Sequence, residues 1–358
     1  MISVNCRYHH VLTLYRNDGS PVGHTPFRAD WHPAWYWTAF QGLRRGVFAE
    51  AEPGGRATVE PIWHREAHEP HLSGFSITLA ADGADGPSVT CDLPLTYFKP
   101  LAVTASGYYV EKGLLKERER FLFGVTAFLS EHEEAGTPAS PFTVEEVRQP
   151  LTLKEGAMAD YIGESMLVGD APTDEVPAAF IPQHVLDEAA DLARAAGASE
   201  TGGILIGHLV RDTSPDSPDV FVEVTSQIHA RHAVGATTRL TFTPETWEAV
   251  QAALDLRGQG EIWLGWWHSH PKAVSEEVAC EVTAFMSPDD CALHRACFPR
   301  AYSVALVVTE DPRSGELSHT LFGWWCGLIA ARGFHVLGAP RAEATMEAAV
   351  SGGARDAH

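Results

Sequence analysis

Basic residues are scarce in this 358-residue sequence: 26 Lys plus Arg stand against 47 Asp plus Glu, a formal net charge of −21. A chain this acidic repels phosphate backbones and anionic lipid instead of displacing their counterions, so nucleic-acid binding is not expected as its main task. Long apolar runs are missing too. No stretch approaches the ~20 consecutive apolar residues of a membrane helix, and Met1 to Arg7 has neither the basic flank nor the apolar core of a secretory signal. A cytosolic protein with no membrane partner is expected. Cysteine is sparse as well: Cys6, Cys91, Cys280, Cys291, Cys297 and Cys326 are too few for a disulfide scaffold and are expected to stay reduced, as free thiols or metal ligands.

What is present is an ordinary globular composition, 45% hydrophobic and 20% charged, over a length that suggests two domains. Residues 1–130 read as a β-rich domain with a few helices. Apolar positions alternate at Phe75, Ile77 and Leu79 and again at Val89, Cys91, Leu93 and Leu95. The turn-forming run from Asp82 to Pro87 between them predicts a hairpin. Asn17-Asp18-Gly19 is a similar turn after the strand-like Val11 to Tyr15. Residues 131–177, rich in Glu, Pro, Thr and Ala with weak periodicity, are expected to be a linker holding a short helix; 339–358 are small and polar and are expected to form a mobile tail.

Residues 178–338 form the second expected domain. Pro182 opens a helix whose apolar face is Val185, Leu186, Ala189, Leu192, Ala193 and Ala196, and Gly197 suits its stop. A strand follows from Gly202 to Gly207, then another from Val220 to Ile228. A second helix begins at Thr243-Pro244-Glu245 and ends near Gly258. Strands are expected at Ile262–Trp267, Tyr302–Val308 and from Leu321 past Gly327. Helices interleaved with strands, several in meander order, predict a mixed α/β sheet.

Three short motifs carry chemistry. In Trp266-Trp267-His268-Ser269-His270-Pro271 the apolar run supplies extended backbone, so the two imidazoles, two residues apart, point the same way and can converge on one ion. A hydrolytic zinc site needs a third protein ligand and one open position. Ser287-Pro288-Asp289-Asp290 offers a carboxylate at a helix start: Ser287 suits the N-cap, Pro288 the first turn, and Asp290 the third helical position. Read alone, this is only a good cap. Glu200, between a helix stop and Gly202-Gly203, is placed to accept a proton from a metal-bound water; read alone it is a solvated loop charge.

In this order the three motifs resemble the JAMM family, also called JAB/MPN+ metalloproteases, whose pattern is a Glu before a Gly-rich strand, then His-x-His-Pro, then Ser-x-x-Asp. The resemblance covers about residues 178–338. It implies a mixed sheet flanked by helices, cytidine-deaminase-like, preceded here by the β-rich N-terminal domain. It further implies a zinc ion held by His268, His270 and Asp290 with water in the fourth position, Glu200 as general base, and Ser287 as hydrogen-bond donor to the oxyanion. The activity implied is a peptidase or isopeptidase cleaving after the C-terminal tail of a ubiquitin-like protein, by deconjugation or precursor maturation. Activating and conjugating enzymes of a bacterial ubiquitin-like pathway would then be further partners. Two alternatives stay open: a non-catalytic MPN scaffold, and a JAMM hydrolase acting on a sulfur-carrier protein or small peptide. The interval Lys272 to Met286, 15 residues, exceeds the family's usual spacing between the Pro and the Ser, and reads as a lengthened loop rimming the cleft.

Weaker signals remain. Cys291, His294 and Cys297 follow Asp290 at intervals of three. They read as core thiols and a packed histidine, the alternative being a second, structural zinc site completed by Cys280. His64, His68 and His71 have helical spacing, but Arg65 stands where a His-Glu-x-x-His protease needs Glu, and Pro70 interrupts. Trp31, Trp35 and Trp37 are expected in a core or an interface.

Overall fold

The computed structural model describes residues 3–50, 53, 55–64, 71–81, 86–129, 151–171, 173–214, 219–231, 234–236, 239–270, 284–310 and 314–338. It is a mixed α/β structure, largely sheet with several helices. None of the helices among the described residues is long and apolar enough to cross a membrane.

Two sheets make up the N-terminal part. Tyr8–Arg16 lies between Pro21–Phe27 and Phe121–Leu129, with Gly19 at φ +82° in the expected turn. The second sheet runs Ser3–Cys6, Arg56–His64, His71–Ala80, Ser88–Pro94. Its last two strands form the expected hairpin, from Gly74 opposite Pro94 to Ala80 opposite Ser88; residues 82–85 of the turn lie outside the described set. His64 and His71 are not on a helix. They face each other across the Arg56–His64/His71–Ala80 hairpin with rings 5.0 Å apart, because the β-branched and aromatic residues on both sides favour strands. His68 lies outside the described residues. Trp31, Trp35 and Trp37 are buried in the core, the last two on the helix His32–Arg44.

The C-terminal half is built on a ten-stranded sheet. From one edge the order is Leu328–Arg332, Leu317–Trp325, Val304–Glu310, Ile262–His270, Gly202–Asp212, Val220–His229, Ala179–Pro182, Phe334–Leu337 and Ser165–Val168; Leu153–Gly156 adds to the far end of Gly202–Asp212. The expected helices appear as Gln183–Ala196, stopped by Gly197 at φ +63°, and Pro244–Arg257, stopped by Gly258 at φ +60°. The central strands Gly202–Asp212, Ile262–His270 and Val304–Glu310 are largely buried on both faces, as their near-continuous apolar runs dictate. Part of the stretch expected as a linker departs from that reading. Leu153–Gly156 and Ser165–Val168 are edge strands of this sheet, and the expected short helix, Met158–Gly163, connects them. Four residues each are too few to show alternation, and their backbone pairing comes from partners distant in sequence. Residues 131–150 and 339–358 lie outside the described set.

The two halves share one apolar core, and the helix His32–Arg44 is its seam. Arg44, almost fully buried, forks onto both carboxylate oxygens of Asp219 at 2.7 and 3.0 Å and donates to the backbone carbonyls of Asp174 and Glu175. Arg211 returns a bond to the Leu43 carbonyl at 2.8 Å. Breaking a pair of this kind strands the remaining charge and costs about 3 kcal/mol. Arg44→Ala is therefore expected to lower the denaturant midpoint by that order, whereas Arg211→Ala, which loses a bond to a neutral carbonyl, costs roughly 1–2 kcal/mol.

Candidate metal centre

The site begins with a close backbone approach. Gly202–Asp212 and Ile262–His270 pair antiparallel, Gly202 opposite His268 and Gly203 opposite Trp267. A Cβ on Gly202 would lie 2.3 Å from the Trp267 carbonyl oxygen and 2.5 Å from Leu240 Cδ2; one on Gly203 would lie 2.5 Å from the Ile228 carbonyl oxygen and 2.6 Å from Trp267 Nε1. Only glycine fits at these two positions. The ladder then continues past the strand: Ser269 N–H donates to the Thr201 carbonyl at 2.9 Å, and Thr201 N–H donates to Ser269 Oγ at 3.1 Å. Glu200 is thereby fixed at the end of the histidine strand.

His268 and His270 are buried, as the strand alternation predicts, with Nε2 atoms 3.1 Å apart. Asp290 Oδ2 lies 3.5 Å from His268 Nε2 and 3.8 Å from His270 Nε2. Neither distance is a hydrogen bond. Three potential ligand atoms 3.1–3.8 Å apart converge as the vertices around a small cation would; tetrahedral zinc with bonds of ~2.0–2.1 Å separates its ligand atoms by roughly 3.3–3.4 Å. Imidazole nitrogen with one carboxylate oxygen is also a donor set that suits zinc. Among the described residues this is the one group of three or more His, Cys, Asp or Glu side chains whose ligand atoms converge in this way.

Asp290 is held by the helix it starts. The helix Pro288–Cys297 has a capping box: Asp290 N–H donates to Ser287 Oγ at 3.1 Å, and Ser287 N–H donates to Asp290 Oδ2 at 2.8 Å. The Ser287 hydroxyl oxygen is thus engaged as an acceptor, while its proton remains a donor. Burial opposes ionisation of Asp290, but His268, His270 and Ser287 outweigh it and hold the carboxyl well below the usual range. Glu200 is the opposite case. Its Oε2 is buried with no hydrogen-bond partner, and burial, reinforced by the charge of Asp290, pushes its pKa up to about 8.

Behind the ligands stands a feature that the motifs did not disclose. Trp266 stacks on His268 with centroids 4.5 Å apart and 14° between planes. Its Nε1–H donates to His294 Nδ1 at 3.1 Å, and the His294 ring packs 5.3 Å from Trp324. His294 is therefore a fully buried packing residue, and burial lowers its pKa to about 3. Cys291 is partly buried and Cys297 exposed, both as free thiols, while Cys280 lies outside the described residues. Trp266 precedes His268 by two residues on the same strand face, so alternation alone could have marked it as the ring beneath the ligand. Of the long interval before Ser287, residues 272–283 lie outside the described set; Phe285 packs against His270 at 4.7 Å.

Two outcomes are expected. Gly202→Ala, which forces the two strands apart, should destabilise the fold by roughly 2–4 kcal/mol and weaken zinc affinity together, read by denaturant unfolding and metal titration. In chelator-treated protein, folded Glu200 keeps its proton up to about pH 8, while the unfolded chain releases it near 4.5. The folded state binds the extra proton across that window, so stability falls as pH rises through it. Glu200→Gln should remove this slope, seen as wild-type and variant stabilities diverging between those two pH values.

With the geometry established, comparison with known proteins adds the following. Residues 182–276 match the model of a family described as prokaryotic homologs of the JAB domain. None of the curated proteins compared with the chain matches it. The solution structure of protein DSY2949 from Desulfitobacterium hafniense is similar at 20% identity, covering 44% of this chain and 91% of that one, with a TM-score of 0.31. A likeness at that score carries no argument. The matched segment contains Glu200, His268 and His270 and stops short of Ser287 and Asp290. The C-terminal half of this chain thus carries a domain similar to the prokaryotic homologs of the JAB domain.

Proposed function

We propose that the C-terminal half is a zinc-dependent peptidase of the JAMM type, acting after the C-terminal tail of a ubiquitin-like protein. The observation that carries the hydrolytic reading is the pairing of a three-donor cluster, His268, His270 and Asp290, with an unpartnered carboxyl, Glu200, whose pKa is about 8. The substrate class rests on the family resemblance, as does the pathway in which activating and conjugating enzymes would be partners.

His268 Nε2, His270 Nε2 and Asp290 Oδ2 would hold the zinc. Bound there, zinc would supply Lewis acidity and bring the pKa of a water toward ~7. Glu200 Oε2 takes the proton of the attacking water and later returns it to the leaving nitrogen, as a general base and then a general acid. The cap orients Ser287, and its remaining proton is directed to the carbonyl oxygen as that atom gains charge in the tetrahedral state. Asp290 stays ionised throughout because two imidazoles and the Ser287 amide favour its anion. Trp266 beneath His268 closes that side of the ring to water.

The test combines zinc content with cleavage of ubiquitin-like tails ending in Gly-Gly, each with and without a following segment. Wild-type protein should carry zinc and cleave at the tail. Glu200→Gln should keep the zinc and lose about 10²–10⁴ of the rate, and Asp290→Ala should lose the zinc. A zinc-loaded wild type that cleaves none of the tails, or a Glu200→Gln variant as active as wild type, would overturn the proposal; the first outcome is what a scaffold gives.

A further inference from the structure

A ligating imidazole has to present one chosen nitrogen to the ion, and in most metal sites its other nitrogen is tethered to a carboxylate or carbonyl that fixes the ring's orientation. That tether is missing here. Nδ1 of His268 and Nδ1 of His270 are both shut off from solvent, with no hydrogen-bond partner among the described residues. The setting of each ring is therefore left to what packs against it. For His270 that is Phe285, at 4.7 Å and 45°, and the His268 ring, at 4.9 Å and 62°. For His268 it is the plane of Trp266, nearly parallel at 4.5 Å, so turning the imidazole about its Cβ–Cγ bond would drive its edge into the indole.

The indole is itself held in one plane. Trp266 and His294 have no exposed surface, and the Trp266 Nε1–H donates to His294 Nδ1 at 3.1 Å. His294 comes from the element that carries the third ligand. Asp290 and His294 are the two buried residues of the helix Pro288–Cys297, and a spacing of four sets them on one face, a turn apart. One helix thus supplies the carboxylate directly and, a turn later, the acceptor that fixes the plate beneath His268. The Trp266–His294 bond ties this helix to the histidine strand, beside the place where Asp290 Oδ2 has to stay 3.5 and 3.8 Å from the two Nε2 atoms.

We propose that His294 is a positioning residue of the metal centre: through Trp266 it fixes the plane of His268 and the separation of that ligand from Asp290, in place of a hydrogen bond to the ligand's own second nitrogen. His294 touches no reacting atom. The inference rests on the reading of His268, His270 and Asp290 as zinc ligands and adds to it the residue that holds two of them in register. A residue that only fills space can be exchanged for an apolar one of similar size, whereas this role needs the acceptor atom.

The test measures zinc affinity of the chelator-treated full chain, by competition with a chromophoric chelator, and the visible absorption of the Co2+-loaded protein, which reports ligand geometry. His294→Leu should weaken zinc at least roughly tenfold and alter the Co2+ spectrum. Trp266→Phe, which keeps a ring against His268 but has no N–H to donate, should do the same, and it carries the test if His294→Leu does not fold. His294→Asn, whose Oδ1 can accept in place of Nδ1, should recover most of the affinity. Trp324→Phe loses its bond to the Phe298 carbonyl and loosens the same aromatic layer without touching the Trp266–His294 bond; it should lose stability yet keep wild-type zinc affinity. Wild-type affinity and spectrum in His294→Leu or Trp266→Phe, no recovery in His294→Asn, or an equal loss in Trp324→Phe would each overturn the role of His294 while leaving the metal centre standing. A wild type that takes up no zinc would overturn both.

Discussion

Two backbones meet at Gly202–Gly203 with no space for a side chain, and the candidate metal centre depends on that contact. The approach sets the register that puts Gly202 opposite His268, and the Thr201–Ser269 bonds carry the register one step further, to Glu200. A base must be held close to the atoms it serves, and here its position follows from main-chain hydrogen bonds, not from its own side chain. That leaves the Glu200 carboxyl unpartnered, the condition that lets burial raise its pKa.

The two carboxylates show how one small volume holds opposite ionisation states. Asp290 has a helix start, a cap amide and two imidazoles, all of which favour its charge. Glu200 has none of these and faces the Asp290 anion. The separation of their pKa values is a difference in hydrogen-bond supply at similar burial. Pairs of titratable groups driven apart in this way are where acid–base roles are found.

Much of this was legible in local sequence. The His-x-His alternation, the Ser-Pro-Asp-Asp cap and the glycine stops at Gly197 and Gly258 each depend on residues within one turn or one strand, and each appears where local rules put it. What escaped depends on partners far away in the chain. Leu153–Gly156 is a strand because Gly202–Asp212 has an open edge. His294 reads as a packed histidine and is one, but the Trp266 it accepts from lies 28 residues away and leaves no local signature.

The row of rings behind His268 has one more consequence. Because His294 resists protonation until about pH 3, its Nδ1 keeps a lone pair for the Trp266 indole across the whole physiological range. The tautomer is locked, with the proton on Nε2, and the wall supporting His268 is chemically inert.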